Sequence, residues 1–451
     1  MGRLGGFGVF EDHLSTLIDT VKGYCLWGSV AVNSRLGGST ADTRSGRHVG
    51  LVAWHFPPSV DGGVYRPLAL VQHGSRMGWQ FSILAGHKIP NPSEAGRQLC
   101  RALPEGAQVA YVPRCGWKIS FSFYPRLQGG FSSALLTYRS GLEHWDRNPP
   151  NIILASGPPF QTFVAAFYLA RRFRSRLILD YRDEWTECPF PFVETTDFDR
   201  RWEPFLLGVA DAVVFTTASQ VEHQLKVFPS LTRSKCHVVP NGWESNDFEA
   251  ISREVVADHQ AHLTVSFVGN LADHTLPEAF LECLAEVLDN NAELRNSLVV
   301  TFVGARSESA TSQIGHFRYQ RNLSVVDHVP KASATRMMKE ADALLLLSSP
   351  AFSRYLPGKL FDYVAARRPV LVFGDDKGEI ADLVKRLGIG VVINVGDVKA
   401  LTESLLALLR QERIVEPCDV AGWLEHHTRR RMAERFVGIL NELTASPRPQ
   451  R

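Results

Sequence analysis

In the run Leu356-Pro357-Gly358-Lys359-Leu360-Phe361-Asp362-Tyr363, a cation and a carboxylate share the first turn of a helix that leads through Arg367-Arg368-Pro369 into the apolar strand Val370-Leu371. A helix N-terminus offers backbone N–H groups and the positive end of the helix dipole, so a phosphate group fits there. Lys359 can neutralise a diphosphate, and Asp362 can accept hydrogen bonds from vicinal sugar hydroxyls. The pair reads as a grip for a nucleotide diphosphate. It reads equally as an ordinary amphipathic helix opened by Gly358, with both charges on the wet side.

Other candidate residues stand at the ends of apolar runs. Trp54-His55-Phe56-Pro57-Pro58 continues into Asp61-Gly62-Gly63-Val64-Tyr65-Arg66, a turn whose paired glycines let backbone approach a ligand closely. The Gly-x-Gly-x-x-Gly dinucleotide fingerprint is absent, so on residues alone this turn is structural or ligand-facing. Ala155-Ser156-Gly157-Pro158-Pro159-Phe160 and Leu179-Asp180-Tyr181-Arg182-Asp183-Glu184-Trp185 end two further strands. Asp183, beside Arg182, can stabilise a positively charged sugar in the transition state, orient an acceptor hydroxyl, act as a base, or simply form a surface pair. Phe267-Val268-Gly269-Asn270 and Phe302-Val303-Gly304-Ala305-Arg306 are strand ends at which Gly permits close approach to a nucleotide. No Asp-x-Asp metal signature follows a suitable strand, and Asp375-Asp376 belongs to a polar turn.

These residues need two sets of strands to position them. Apolar runs at 49–56, 81–86, 108–113, 151–156, 176–182, 212–217 and 236–240 alternate with helical patterns, and the rhythm restarts at 263–268, 298–303, 323–329, 343–348, 369–373 and 390–395. Strand–helix alternation with apolar strands implies parallel sheets covered on both faces. The expected fold class is α/β, with two doubly wound Rossmann-like domains and ligands in a cleft at the carboxyl ends of both sheets. The expected division is an N-terminal extension over 1–47, a first domain over 48–245, a second over 246–424, and a C-terminal helix over 425–451 that either crosses back to the first domain or ends the second.

A chain of 451 residues suits two domains, and 45% apolar residues with a net charge of +2 exclude a charge-driven nucleic-acid binder. Seven cysteines without a Cys-x-x-Cys pair suit a reducing cytoplasm and no structural zinc. No apolar run reaches the roughly 18 residues of a spanning helix. The segment from Arg114 to Leu142 lacks acidic residues and mixes Arg114, Lys118, Arg126 and Arg139 with aromatics. It suits either peripheral contact with an anionic membrane at the inner face of the cell membrane or a buried excursion with cations at its rim.

The Pro-Gly-Lys-Leu-Phe-Asp-Tyr run before a Pro-Val strand resembles the donor-site stretch of family 4 glycosyltransferases and their polysaccharide-pathway relatives. The glycine turn after the first strand looks like that family's opening loop. The Arg-Asp-x-Trp run at Arg182–Trp185, following Ser-Gly-Pro-Pro, is similar to a branch acting in surface-polysaccharide assembly. Val239-Pro240-Asn241-Gly242 resembles the family's turn before the interdomain linker, where its role is hinge geometry. Two departures stand out. Arg354 occupies the first of the family's two carboxylate positions, and Leu271-Ala272-Asp273-His274-Thr275 stands where an Arg and a Lys usually follow the first strand of the donor domain.

The resemblance implies the GT-B architecture and transfer of a sugar from a nucleotide-diphosphate sugar to a glycan or lipid-linked acceptor, with retention, without a metal or further cofactor, in surface polysaccharide or glycoconjugate biosynthesis. It assigns the donor to Lys359, Asp362, Gly358, Arg306, Arg354, Asn270 and Gly269. Catalysis falls to Asp183, His55 and Arg182, beside a loop set of Gly62, Gly63, Arg66, Ser156 and Gly157. A nucleotide-sugar 2-epimerase and a catalytically idle binding partner are alternatives on the same architecture.

Overall fold

The computed structural model describes residues 46–114, 130–249, 262–275, 277–412, 414, 416 and 418–446. The extension over 1–47, except its last two residues, lies outside them, as do Lys118, Arg126 and residues 250–261. The chain divides into two compact units, one ending at Val239 and resuming at Ala433, the other spanning Pro240–Met432.

The first unit is built on a parallel sheet of seven strands: β1 (His48–Ala53), β2 (Gln80–Ala85), β3 (Gln108–Tyr111), β4 (Ile152–Gly157), β5 (Arg176–Tyr181), β6 (Ala212–Phe215) and β7 (Cys236–Val238). Their order is β3-β2-β1-β4-β5-β6-β7. Every residue of β1, β4, β5 and β6 is buried, which is why these strands read as continuous apolar runs rather than alternating ones. The second unit carries six parallel strands, β8 (Leu263–Val268), β9 (Leu298–Val303), β10 (Leu323–Val326), β11 (Ala343–Leu347), β12 (Val370–Gly374) and β13 (Gly390–Asn394), ordered β10-β9-β8-β11-β12-β13. Both sheets are Rossmann-like, and each strand lies where its apolar run predicts.

In each sheet the strand order reverses once, between β1 and β4 and between β8 and β11, and ligands of doubly wound sheets bind beyond the carboxyl ends at such reversals. Helix capping marks the same places in the first unit. The helices after β2, β5 and β6 start with a side-chain cap from Ser93, Thr196 and Thr217. Those after β1 and β4, Tyr65–Arg76 and Gln161–Phe173, have none. In the second unit the helix after β11, Gly358–Ala366, also lacks a side-chain cap.

The units part at Val239, ahead of the boundary placed at 245, because the Val239 N–H still bonds Phe215 O while Trp243 already pairs with Thr428 of the second unit. The last helix, Arg429–Ala445, begins in the second unit, and its later residues belong to the first. There Phe436 and Leu440 are buried, Phe436 lies 4.9 Å from the Arg66 guanidinium, and Arg176 donates to the Ser446 carbonyl at 2.8 Å. Among the described residues no helix is long and apolar enough to cross a membrane.

Candidate functional site

In the second unit the helix Gly358–Ala366 is held at the strand reversal by its buried face. Leu360, Phe361, Tyr363 and Val364 are all buried. The Tyr363 hydroxyl accepts from the Val268 N–H at 2.8 Å and lies 3.2 Å from both the Val268 and Leu345 carbonyls, so one side chain fastens the helix to β8 and β11. That placement brings Lys359 over the end of β8. Its ammonium stands 4.0 Å from the centre of the Phe267 ring and 3.4 Å from the Asn270 carbonyl. Gly269 has φ +140°, and a Cβ there would lie 3.1 Å from Lys359 Nζ, so a larger residue would be strained and crowd the ammonium.

No carboxylate among the described residues pairs with Lys359. Lys359 is half-buried, and burial pulls its pKa down to about 7. A cation beside an uncapped helix N-terminus, in contact with a ring face and a carbonyl, can receive an anion. Asp362, three residues on, pairs through Oδ2 with Lys331, while its Oδ1 is buried with no hydrogen-bond partner among the described residues.

The other donor candidates are arranged differently. Arg306, expected at the diphosphate, instead donates to the Gly304 carbonyl at 2.8 Å and the Val326 carbonyl at 3.2 Å and pairs with Asp327 at 2.6 Å, so it clamps the ends of β9 and β10. Arg354 is half-buried in the loop before Gly358, and Asn270 and Gly358 are exposed. Lys331, which pairs with Asp362, and the fastening role of Tyr363 were not among the residues the sequence singled out.

In the first unit His55, Asp61, Gly63, Arg182 and Asp183 come together at the ends of β1 and β5. His55 Nδ1 lies 2.9 Å from Asp61 Oδ2, and the Gly63 N–H donates to Asp61 Oδ1 at 3.0 Å. Burial works against the Asp61 carboxylate, but the hydrogen bond and charge of His55 outweigh it and hold its pKa below the ordinary value. Arg182 donates to the Gly63 carbonyl at 2.8 Å and the Gly157 carbonyl at 3.2 Å and also bonds the Pro158 carbonyl, tying the glycine turn to the end of β4. A Cβ on Gly63 would strike that guanidinium, whereas one on Gly62 would meet open space. Arg182 is therefore a fastener rather than a free catalytic group.

Arg66 and Ser156 do not face this cluster. Both converge on Asp180, Arg66 through Nε at 3.1 Å to each oxygen and Nη2 at 2.8 Å, Ser156 through its hydroxyl at 2.9 Å. Asp183 stands apart from that network. Burial raises its pKa to about 6, against the pull of Arg182 and His55 and with the help of Glu184. A carboxylate with a pKa raised to about 6, and with no side-chain hydrogen bond among the described residues, suits proton transfer or capture of an acceptor hydroxyl. If it works ionised, turnover rises as pH passes upward through about 6. Asp183→Asn should remove that limb and lower kcat by about 100-fold or more, as pH–rate profiles of both proteins will show.

The loop carrying Asp183 is braced from below by the helix Asp197–Val209. Asp199 accepts from the Trp185 indole N–H at 3.0 Å, and Glu203, one turn on, accepts from the Thr186 N–H at 2.8 Å and its hydroxyl at 2.5 Å. Burial pushes the Glu203 pKa up to about 8. Two acids one turn apart on a helix that also buries Phe198, Trp202 and Leu206 are a signal that could have revealed this brace and that went unread in the sequence. Among the described residues no group of three or more His, Cys, Asp or Glu is placed to hold a metal ion.

Two Rossmann-like units, each a parallel sheet with one reversal of strand order, define a two-domain class of α/β protein. Residues 61–242 match the glycosyl transferase 4-like domain and residues 262–411 the glycosyl transferases group 1 domain. The chain belongs to the family 4-like glycosyltransferases of the GT-B fold. No curated protein matches its sequence. Its fold is similar to that of sucrose-phosphate synthase from Thermosynechococcus elongatus, with a TM-score of 0.67 at 13% identity over 88% of this chain and 99% of that one. It is also similar to HepE of Anabaena in complex with UDP, with a TM-score of 0.55 at 14% identity over 88% and 98%. A trehalose-6-phosphate structure from E. coli bound with UDP-2-fluoro glucose gives a TM-score of 0.62 at 13% identity over 89% and 100%.

Proposed function

We propose that this glycosyltransferase takes its sugar from a nucleotide-diphosphate donor held by the second unit and passes it, with retention, to a glycan or lipid-linked acceptor in surface polysaccharide or glycoconjugate assembly. The observation that carries the donor half is Lys359, a cation without a carboxylate partner at the uncapped start of Gly358–Ala366. Two similar folds carry UDP or a UDP sugar, which favours a donor of that chemistry. Lys359 and the first-turn N–H groups would receive the diphosphate, and Asp362 Oδ1 would accept from the ribose. Protonated Lys359 stabilises the charge that develops on the leaving diphosphate. A leaving phosphate oxygen that takes the acceptor's proton on the face it departs from would give retention, leaving Asp183 to orient the acceptor hydroxyl.

The test is a thermal-shift panel of UDP-, GDP-, dTDP- and ADP-sugars, followed by turnover with the stabilising donors and NMR of the product's anomeric configuration. At about 100 times its Kd a true donor adds about 2.7 kcal/mol of stability. A panel without any stabilising member contradicts the reading, and an inverted product contradicts retention. Turnover should survive EDTA. The basic aromatic segment supports peripheral membrane contact: neutralising Lys118 and Arg126 together should lower sedimentation with anionic vesicles several-fold, since each cation near such a surface is worth about 1 kcal/mol. Equal sedimentation would remove that contact.

A further inference from the structure

Beyond the carboxyl ends of β4 and β5 the first unit has a small cavity of about 20 Å³, lined by Pro159, Phe160, Gln161, Trp185, Glu194 and Asp199 among others. Gln161 opens the helix Gln161–Phe173, is 9% exposed, and both its amide oxygen and its amide nitrogen are buried with no hydrogen-bond partner. An unsatisfied buried amide is costly, and such a group in a cavity wall marks a place where something polar completes it. The volume holds one small group, the size of a hydroxyl or hydroxymethyl.

The lining narrows the chemistry. It contains carboxylates and no cation, which disfavours an anion. Both Asp199 oxygens are already taken, Oδ1 by Trp185 and Oδ2 by the Thr196 N–H and hydroxyl, so they are not free to ligate a metal. A wholly apolar guest would leave the amide unpaired. A neutral hydroxyl, which both donates and accepts, matches it. The walls are two prolines and a stacked aromatic pair, Phe160 on Trp185 at 5.1 Å and 8°, and the exposed Glu194 carboxylate stands at the rim as a second acceptor. Flat apolar walls with a planar amide and a carboxylate suit a sugar with one hydroxyl group inserted. Trp185 lies two positions beyond Asp183 in the same loop.

We infer that this cavity is an acceptor-sugar subsite in which the Gln161 amide recognises an inserted hydroxyl or hydroxymethyl group. The inference rests on the glycosyl-transfer reading above but on different residues. Gln161→Leu has nearly the same shape and removes an unsatisfied amide, so its melting temperature should equal or exceed that of the parent.

Saturation-transfer NMR with the methyl glycosides of glucose, galactose and mannose tests it on the full chain, with UDP binding followed in parallel. At least one glycoside should bind the parent protein, and its affinity should fall about tenfold in Gln161→Leu while UDP affinity stays the same. That glycoside should bind Lys359→Met as it binds the parent. A parent protein that binds none of the three, or a Gln161→Leu protein that binds them equally well, overturns the subsite and indicates a cavity filled by water. Loss of UDP binding in the parent alone would strike the donor reading instead.

Discussion

Lys359→Met is expected to abolish turnover of the nucleotide sugar, by at least a thousandfold, while the protein melts no lower than the parent. The first half follows from the use made of Arg306, which is engaged by two carbonyls and Asp327, and from the lack of any Arg or Lys at 271–275. Removing one preorganised charge from a leaving group costs about two to three orders of magnitude in kcat, and here the same residue also anchors the donor. The second half follows from the sign of the pKa shift. Folding lowers the Lys359 pKa to about 7, so between pH 7 and its unfolded value the unfolded chain binds more protons and stability rises with pH. Below pH 7 the folded state carries the full cost of a desolvated ammonium, which methionine avoids. The same shift sets the pH dependence of binding. A phosphate raises the ammonium's pKa, so UDP-glucose affinity in the parent should be level below pH 7 and fall above it, approaching tenfold per unit. In Lys359→Met that slope should vanish. Calorimetric titrations of both proteins across pH 6 to 9 check both statements, and a parent slope that persists in the variant would assign the titration to another group.

Asp180→Ala is expected to give the largest loss of stability in the first unit, about 3–5 kcal/mol. Arg66 and Asp180 are 4% and 3% exposed and meet through three contacts of 2.8–3.1 Å, with Ser156 as a further donor. Removing the carboxylate leaves a buried guanidinium without its counter-ion, beneath the helix that follows the glycine turn and against Phe436. The melting transition should fall by roughly 10 °C. The double variant Arg66→Met with Asp180→Leu should recover most of that loss, because an apolar pair of similar volume fills the space without a charge to desolvate. Calorimetry on the parent, the single variant and the double variant decides it, and a single variant within about 1 kcal/mol of the parent would mean that water reaches the pair.

The contrast between Asp180 and Asp183 explains how far the sequence could be read. The strands were legible because parallel strands buried on both faces are written as apolar runs, and every run from His48 to Asn394 became one. The Lys359 helix was legible because Gly, Lys and Asp sit within one turn. What short-range pattern does not carry is which of several polar residues at a strand end meets which partner. Arg66 and Asp180 are 114 positions apart, and Ser156 and Asp180 are 24. Only the β1-β4-β5 order brings them together, so Arg66 and Ser156 looked like ligand-facing loop residues when they are buried supports. Arg306 looked like a phosphate cation because it follows a Gly at a strand end, yet the neighbouring carbonyls of β9 and β10 were better placed to take it. Glu203 and Asp199 could have been noticed, since two acids on an otherwise buried helix face require partners.

The most direct test of the donor site is a crystal structure of the protein soaked with UDP. Its diphosphate should lie within hydrogen-bond distance of Lys359 Nζ and of the first-turn N–H groups of Gly358–Ala366, with a ribose hydroxyl on Asp362 Oδ1. UDP bound elsewhere, with Lys359 still resting on the Phe267 ring and the Asn270 carbonyl, would contradict the assignment.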